Sequence, residues 1–402
     1  MTRRGPESVQ DGALILGFVA LGAVGAVIPA SIPAVAERTG VAPEELLPSV
    51  SLLFLGLFAG VLVTAVPRRG RARTLLPVGS ALQVAGLALV ACATSAPLFF
   101  LAATVTGLGF GLVEASATAL SRARSSEGTP VRLTVLNGAS AVAAAGAPLL
   151  IAFVPAAALW APVAALALVP AAGAVLAAVA RATWPGAAEG SAPPPRVQRG
   201  AGRRLWPVGA ALFLFVGAET VLAGWSSTLS QSLFGLAGAT AAVGTTAFWT
   251  LMAVGRFACA AVVARGVPAR VYLPAAVGAA SVVAVLSAIV GQGVGTALLI
   301  GAVVLLVAPG YALLLGSALA ATTREGADRT ASILVAVGSA GGSAISFAVA
   351  VTVGSAPAGV LLVIAGLLAG CALLSLAPLR SSRATRSPSP ARPTAGSTAR
   401  DS

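Results

Sequence analysis

The chain has no histidine and no lysine. Without imidazole there is no histidine general base or metal ligand, and neither a Ser/His nor a Cys/His catalytic pair can form. Without lysine no glycine-rich phosphate loop can be completed, which excludes ATP hydrolysis by the usual route. Cysteine is scarce as well: Cys92, Cys259 and Cys371 each lie inside an apolar stretch with no paired spacing. They read as small packing residues rather than a disulfide framework or a zinc site. Charged residues make up 9% of the 402 positions and asparagine occurs once, at Asn137. Such a chain offers no reactive constellation for an enzyme, and no metal or organic cofactor is expected.

What is abundant is apolar. Hydrophobic residues account for 57% of the chain and the mean hydropathy is +0.96, so the bilayer is its solvent. A hydrocarbon core of roughly 30 Å needs about 20 apolar residues per helix. Runs of that length stand near 13–36, 47–66, 74–94, 97–120, 133–154 and 157–180, then near 205–230, 239–264, 271–290, 293–321, 330–353 and 356–379. Arg3 and Arg4 ahead of the first run, and Ala34-Val35-Ala36 at its end, imitate a secretory signal. The run is longer than a signal core, however, and Pro29 and Pro33 interrupt its end, so it reads as the first membrane segment.

All 25 basic residues are arginine, and all but Arg38 and Arg256 fall in the tails or in every second gap between runs. Arg38 shares its gap with Glu37, Glu44 and Glu45, which leaves that loop net acidic. The positive-inside bias then places both termini and the arginine-bearing gaps in the cytoplasm of a multi-pass protein of the inner (plasma) membrane. The net charge of +13 is spread through short loops rather than gathered with aromatics. It serves topology and contact with anionic lipid, not nucleic acid.

The longest internal gap, 181–204, carries Pro193, Pro194 and Pro195 among glycines and reads as a flexible linker. Arg73 to Pro77 on one side of it matches Arg270 to Pro274, Glu127-Gly128 matches Glu325-Gly326, and Arg132 matches Arg329, at offsets of 197 to 198 positions. The expectation is an all-α membrane protein with an N-terminal six-helix bundle (1–180), the linker, a C-terminal six-helix bundle (205–379) and a disordered tail (380–402). Six helices repeated in the same sense follow the parallel-repeat plan of major facilitator transporters, whose substrate site lies between the halves near mid-membrane.

Three charges sit deep inside apolar runs: Glu114, Glu219 and Arg256. A charge at a helix centre costs roughly 2.5–3.5 kcal/mol on insertion scales, so each should face a cavity or a partner. Glu114 is either a proton site, loading and releasing as hydration changes during alternating access, or a carboxyl hydrogen-bonded for packing. Glu219 binds substrate, binds a proton or ties helices together. Arg256 fits a gate or a structural ion pair better than substrate contact. Asn137 either donates to substrate or joins adjacent helices. Trp225, Trp249 and Tyr311 either stack on a ligand or pack among apolar neighbours.

At these positions the chain resembles the fucose:proton symporter group of the major facilitator superfamily. The stretch Gly109-Phe110-Gly111-Leu112-Val113-Glu114-Ala115 is similar to that group's fourth helix, where a glycine-rich run leads to a glutamate associated with proton coupling. Similar too are Val216-Gly217-Ala218-Glu219, Gly224-Trp225, Phe248-Trp249 and Gly255-Arg256 to its seventh and eighth helices, and Leu136-Asn137-Gly138 with Gly146-Ala147-Pro148 to its fifth. The resemblance implies Glu114 as the coupling residue. There are two departures. The first segment carries no carboxylate before Glu37, and the loop motif between helices two and three survives only as Pro67-Arg68-Arg69-Gly70-Arg71, with proline in place of the acid. Arg68, Arg69 and Arg71 remain as candidate gate residues.

The expected function is secondary transport of a small solute, driven by the proton gradient, in a monomer. Resemblance implies sugar symport with Glu219, Asn137, Trp225 and Tyr311 facing the cavity. Composition pulls toward efflux of apolar compounds in exchange for protons, because a hydroxyl-rich ligand needs its hydrogen bonds replaced on leaving water, and intramembrane amides are limited to Asn137, Gln83, Gln231 and Gln292. A transport-dead membrane sensor is a third possibility, though neither linker nor tail offers it a cytoplasmic domain.

Overall fold

The computed structural model of the protein describes residues 6–41, 43–46, 48–66, 70–124, 129–152, 154–184, 201–234, 242–320, 322, 327–353 and 356–376. Arg68, Arg69, Glu127, Gly128, Arg324, Glu325, most of the expected linker and the C-terminal tail lie outside these. The first half runs α1 (Pro6–Thr39), a short α2 (Pro43–Leu46), α3 (Pro48–Ala65), α4 (Arg71–Ala91), α5 (Ala96–Arg124), α6 (Thr129–Ala152) and α7 (Trp160–Ala180). The second runs α8 (Ala201–Phe234), α9 (Ala242–Ala264), α10 (Ala269–Val290), α11 (Val294–Val307), α12 (Gly310–Ala320), α13 (Ala327–Thr352) and α14 (Pro357–Ser375). Among the described residues there are twelve spans long and apolar enough to cross a membrane, with α11 and α12 sharing the tenth. The protein is a multi-pass, all-α membrane protein.

That shared span departs from the sequence expectation of one unbroken helix over 293–321. The break falls at Ala308-Pro309. Proline has no N–H to donate, and its ring crowds the carbonyl four residues back; the glycine that follows makes the bend easy. Backbone carbonyls released at such a break must find other donors, since lipid supplies none.

Close helix approach is bought with glycine. Between α3 and α5, a Cβ added at Gly56 or Gly60 would strike the carbonyls of Thr104 or Leu108, and one at Gly107 or Gly111 those of Leu53 or Leu57. Two small-xxx-small ridges therefore interlock face to face, as membrane helices do without a hydrophobic drive between them. On the side opposite the arginines, the one charged exception finds a use: Arg38 donates to the Ala91 carbonyl at 3.2 Å, placing a cation at the C-terminal end of α4, where the helix dipole favours it.

The halves do not meet evenly along their length. One apolar core is continuous from the arginine-side parts of the first half (Leu14, Leu76, Val113, Leu133) into the second half (Phe215, Met252, Leu313, Leu334). The opposite side of the first half has a separate core, around Val27, Leu87, Phe99 and Val163, made of that half alone. The bundle is joined on the arginine side.

Replacing Gly107 with leucine should cost about 1–3 kcal/mol as an overpacked contact and lower the Tm of the detergent-solubilised protein. Gly366→Leu should leave the Tm unchanged, because a Cβ there meets no atom within 4 Å.

Candidate functional site

Arg256 is the centre of the polar interior. It lies on α9 about 12 Å from the helix's arginine-side end at 1.5 Å per residue, and it is 4% exposed. Each of its three nitrogens has an acceptor. Nε donates to the Ala308 carbonyl at 2.9 Å, Nη1 to the Asn137 carbonyl at 2.8 Å, and Nη2 to Glu219 Oε1 at 2.9 Å. Ala308 stands at the break between α11 and α12, where its carbonyl is free to serve as the acceptor. The Asn137 carbonyl belongs to α6 and accepts with a second lone pair. One guanidinium thus joins α8, α9, the broken span and, from the other half, α6.

α6 and α9 can approach because Gly138 follows Asn137. A Cβ at Gly138 would stand 3.0 Å from the Phe257 ring. The Asn137 side chain turns away from the interface and donates to the Leu133 carbonyl of its own helix at 2.9 Å. The backbone at this position makes the connection that sequence reasoning looked for in the amide.

A second pair lies beside the first. Tyr311 on α12 donates its hydroxyl to Glu114 Oε1 on α5 at 2.6 Å, across 197 positions of sequence. That separation equals the offset between the matching loop residues of the two halves. Arg122 obeys the same relation. Its Nε donates to the Leu319 carbonyl, again 197 positions away, at 2.5 Å, and its Nη2 donates to the Thr322 carbonyl at 2.7 Å. Tyr311 follows Ala308, the acceptor of Arg256 Nε, by three residues, so the two pairs adjoin and bring together two carboxyls, a phenol and a guanidinium.

Further contacts close the arginine side. Thr64 near the end of α3 and Ser332 near the start of α13 share a hydrogen bond of 2.5 Å. Pro130 of α6 fits against Gly316 of α12, where a Cβ would come within 2.6 Å of the proline Cα. Within the first half, Arg132 pairs with Asp11. Arg71 donates to the Val66 carbonyl at 3.4 Å, so it braces its own loop and is not brought to the buried cluster.

On the opposite side of the ion pair, α8, α9 and α11 enclose a cleft of about 120 Å³. Leu222, one turn beyond Glu219, and Val304, one turn before Ala308, form its floor; Phe248, Leu251, Ile300 and Gly301 form its walls. The hydroxyl among its described lining residues, Ser226, is already bonded to the Ala223 carbonyl at 2.6 Å and to Thr245 at 3.1 Å. Trp225 and Trp249 pack partly buried against the core, and Trp249 meets Phe248 edge to face with ring centroids 5.1 Å apart.

No protein-family model and no curated protein matches the sequence. Solved structures do. A variant of the E. coli fucose:proton symporter FucP superposes with a TM-score of 0.71 at 18% identity, over 91% of this chain and 97% of that one. The chain has the major facilitator fold. FucP in the outward conformation, described as a Major Facilitator Superfamily transporter, gives a TM-score of 0.66 at 17% identity over 91% and 97% of the two chains. A bacterial homologue of the iron transporter ferroportin, in an outward-facing state, gives 0.70 at 13% over 93% and 100%. The human organic anion transporter MFSD10 gives 0.66 at 15% over 93% and 100%. In the major facilitator fold the Arg256 cluster lies where the two six-span halves meet.

Removing one member of the buried ion pair leaves the other charge uncompensated, which costs about 3–5 kcal/mol in buried pairs, whereas removing both is far milder. Glu219→Gln should therefore lower the Tm sharply, and Glu219→Gln combined with Arg256→Met should recover most of it. Equal losses in the single and double variants would show that the pair carries no mutual compensation.

Proposed function

We propose that the protein is a proton-coupled secondary transporter that works by alternating access between its two halves, with Glu114 as the proton site. The observation that carries this reading is the Tyr311 to Glu114 hydrogen bond of 2.6 Å across the interface. A phenol bonded to an ionised carboxylate makes a charge-assisted bond, roughly twice as strong as its neutral counterpart. Ionised Glu114 therefore favours the state closed on the arginine side. A proton arriving on Glu114 weakens the cross-half bond and shifts the balance toward opening on that side, where hydration releases the proton again. Arg256 holds α6 against α9 and the broken span, and keeps Glu219 paired while the neighbouring carboxyl changes charge.

By the positive-inside bias the arginine side is the cytoplasm, so inward proton movement drives the cycle. Sugar symport rests on the likeness to the fucose symporter. Efflux of apolar compounds in exchange for protons is a second reading, and the apolar cleft beside Glu219 favours it, since among the described lining residues no side chain offers a free hydrogen-bonding group to a sugar hydroxyl.

In proteoliposomes given a pH gradient and a panel of sugars and lipophilic drugs, Glu114→Gln should abolish gradient-driven accumulation, by about tenfold or more, while leaving solute exchange at equal pH. Proton and solute moving together identify symport, and opposed movement identifies antiport. Undiminished coupling in Glu114→Gln would remove that residue from the mechanism. Tyr311→Phe should keep the proton site but weaken the latch, raising the rate at which the arginine side becomes accessible to thiol reagents.

Closure on the arginine side can be tested directly. In a background lacking Cys92, Cys259 and Cys371, oxidising a Thr64→Cys, Ser332→Cys double variant should halt transport, and reduction should restore it. Transport that continues through an established cross-link would show that these helices need not part.

A further inference from the structure

We propose that the transported solute is an amphipathic organic cation, with a single aromatic ring or compact branched alkyl group seated in the cleft between α8, α9 and α11 and its positive end directed at the Glu219 side of the polar cluster. The inference rests on the reading of the chain as a proton-coupled transporter and assigns that site its substrate class.

Three observations converge. The first is charge. The cluster around the ion pair holds Glu114 and Glu219 against Arg256, with the buried Arg122 about two turns from Glu114 on α5 and bonded to the Leu319 and Thr322 carbonyls, and all three nitrogens of Arg256 already have acceptors on Ala308, Asn137 and Glu219. Three of the five guanidinium N–H groups are committed to these acceptors, and the cluster with both carboxyls ionised carries one negative charge in excess. In a low-dielectric interior that imbalance attracts a cation strongly. A proton on Glu114 satisfies it in one state of the cycle, and a solute cation satisfies it in the other.

The second is shape. The cleft measures about 120 Å³, near the roughly 150 Å³ of an apolar cavity that accepts benzene. Leucine, isoleucine, valine and phenylalanine side chains line it, and its hydroxyl is internally bonded. A ring or branched alkyl group loses nothing there, and a hydroxylated one would lose its hydrogen bonds.

The third is placement. Leu222 on the cleft floor lies three residues from Glu219 on α8, or about 5 Å along the axis. Glu219 stands just beyond the cleft lining, and its side chain keeps 14% of its surface exposed beside an arginine side chain at 5%, so a ring resting on Leu222 and Val304 would carry its charged substituent on that side. Phe248 on the wall adds an aromatic face of the kind that attracts organic cations.

The test is calorimetric binding to the purified full-length protein, with benzyltrimethylammonium, its uncharged isostere neopentylbenzene, tetramethylammonium and fucose as probes. Benzyltrimethylammonium should bind at least about tenfold more tightly than any of the other three. Gly301→Leu should erase its advantage over tetramethylammonium. The new Cβ fits, standing 3.6 Å from Leu251, and the rest of the side chain occupies the cleft. Unchanged tetramethylammonium binding confirms that the variant is folded, and adding Leu251→Ala should reopen the space and restore ring binding. Glu114→Gln should weaken both cations at least tenfold without affecting neopentylbenzene.

Preferential binding of fucose, equal binding of the charged and uncharged isosteres, or ring binding indifferent to Gly301→Leu would each overturn the proposal. These outcomes are separable from the transport reading. Glu114-dependent proton flux with sugars but not with cations would retain that reading and discard the cation. Cation binding that drives no flux would retain the site and discard transport.

Discussion

A guanidinium buried in a membrane protein must have its donors satisfied, and much of the interior of this molecule follows from that requirement at Arg256. Its acceptors come from three places that would otherwise have no reason to converge: a carboxylate on α8, a helical carbonyl on α6 and a carbonyl at the break of the tenth span. Each carries a local condition. The carboxylate must be ionised to balance the charge, the α6 carbonyl must be reachable past a residue without a side chain, and the tenth span must be interrupted at one point. Gly138 meets the second condition and Pro309 the third. The polar core is therefore a consequence of one charge and the backbone features that allow other helices to reach it.

Twelve spans and their pairing into two parallel halves are legible from apolar run lengths and arginine placement, because hydrocarbon thickness and loop charge act residue by residue and need no tertiary information. The identity of the intramembrane charges is legible for the same reason: a charge in an apolar run stands out wherever the run folds. What those charges touch is another matter. Asn137 drew attention as an isolated amide, yet its side chain bonds its own helix and its backbone makes the contact, and no residue type announces a carbonyl. The Pro309 break was present in the sequence as a Pro-Gly pair inside an apolar run long enough to read through it. Tyr311 lies opposite Glu114 at an offset of 197 positions, the one already visible in the loops.

The two halves share a backbone plan but divide the chemistry. Counting back 197 positions from Glu219 and Arg256 reaches Gly22 and Ala59, and counting forward from Glu114 reaches Tyr311. None of the three charges is duplicated. At Gly22 the reason is steric, because a Cβ there would run into the Ser140 carbonyl where α1 packs against α6. The first helix consequently has no room for a counterpart of Glu219 at this position.

This asymmetry constrains any transport cycle built on the fold. With a matched carboxylate in each half, a proton could pass between equivalent sites as the halves rock. Here the second half holds its carboxylate in an ion pair with Arg256, and the first half offers Glu114 alone, bonded to a phenol rather than to a base. The proposed variable charge belongs to one residue at the interface and the ion pair to its neighbour. In the proton-coupled reading proposed above, conformational free energy depends on a single protonation event, read through a bond that spans both halves. On that reading a solute that supplies or displaces one positive charge beside the bond alters the balance, and coupling and substrate recognition fall on the same few side chains.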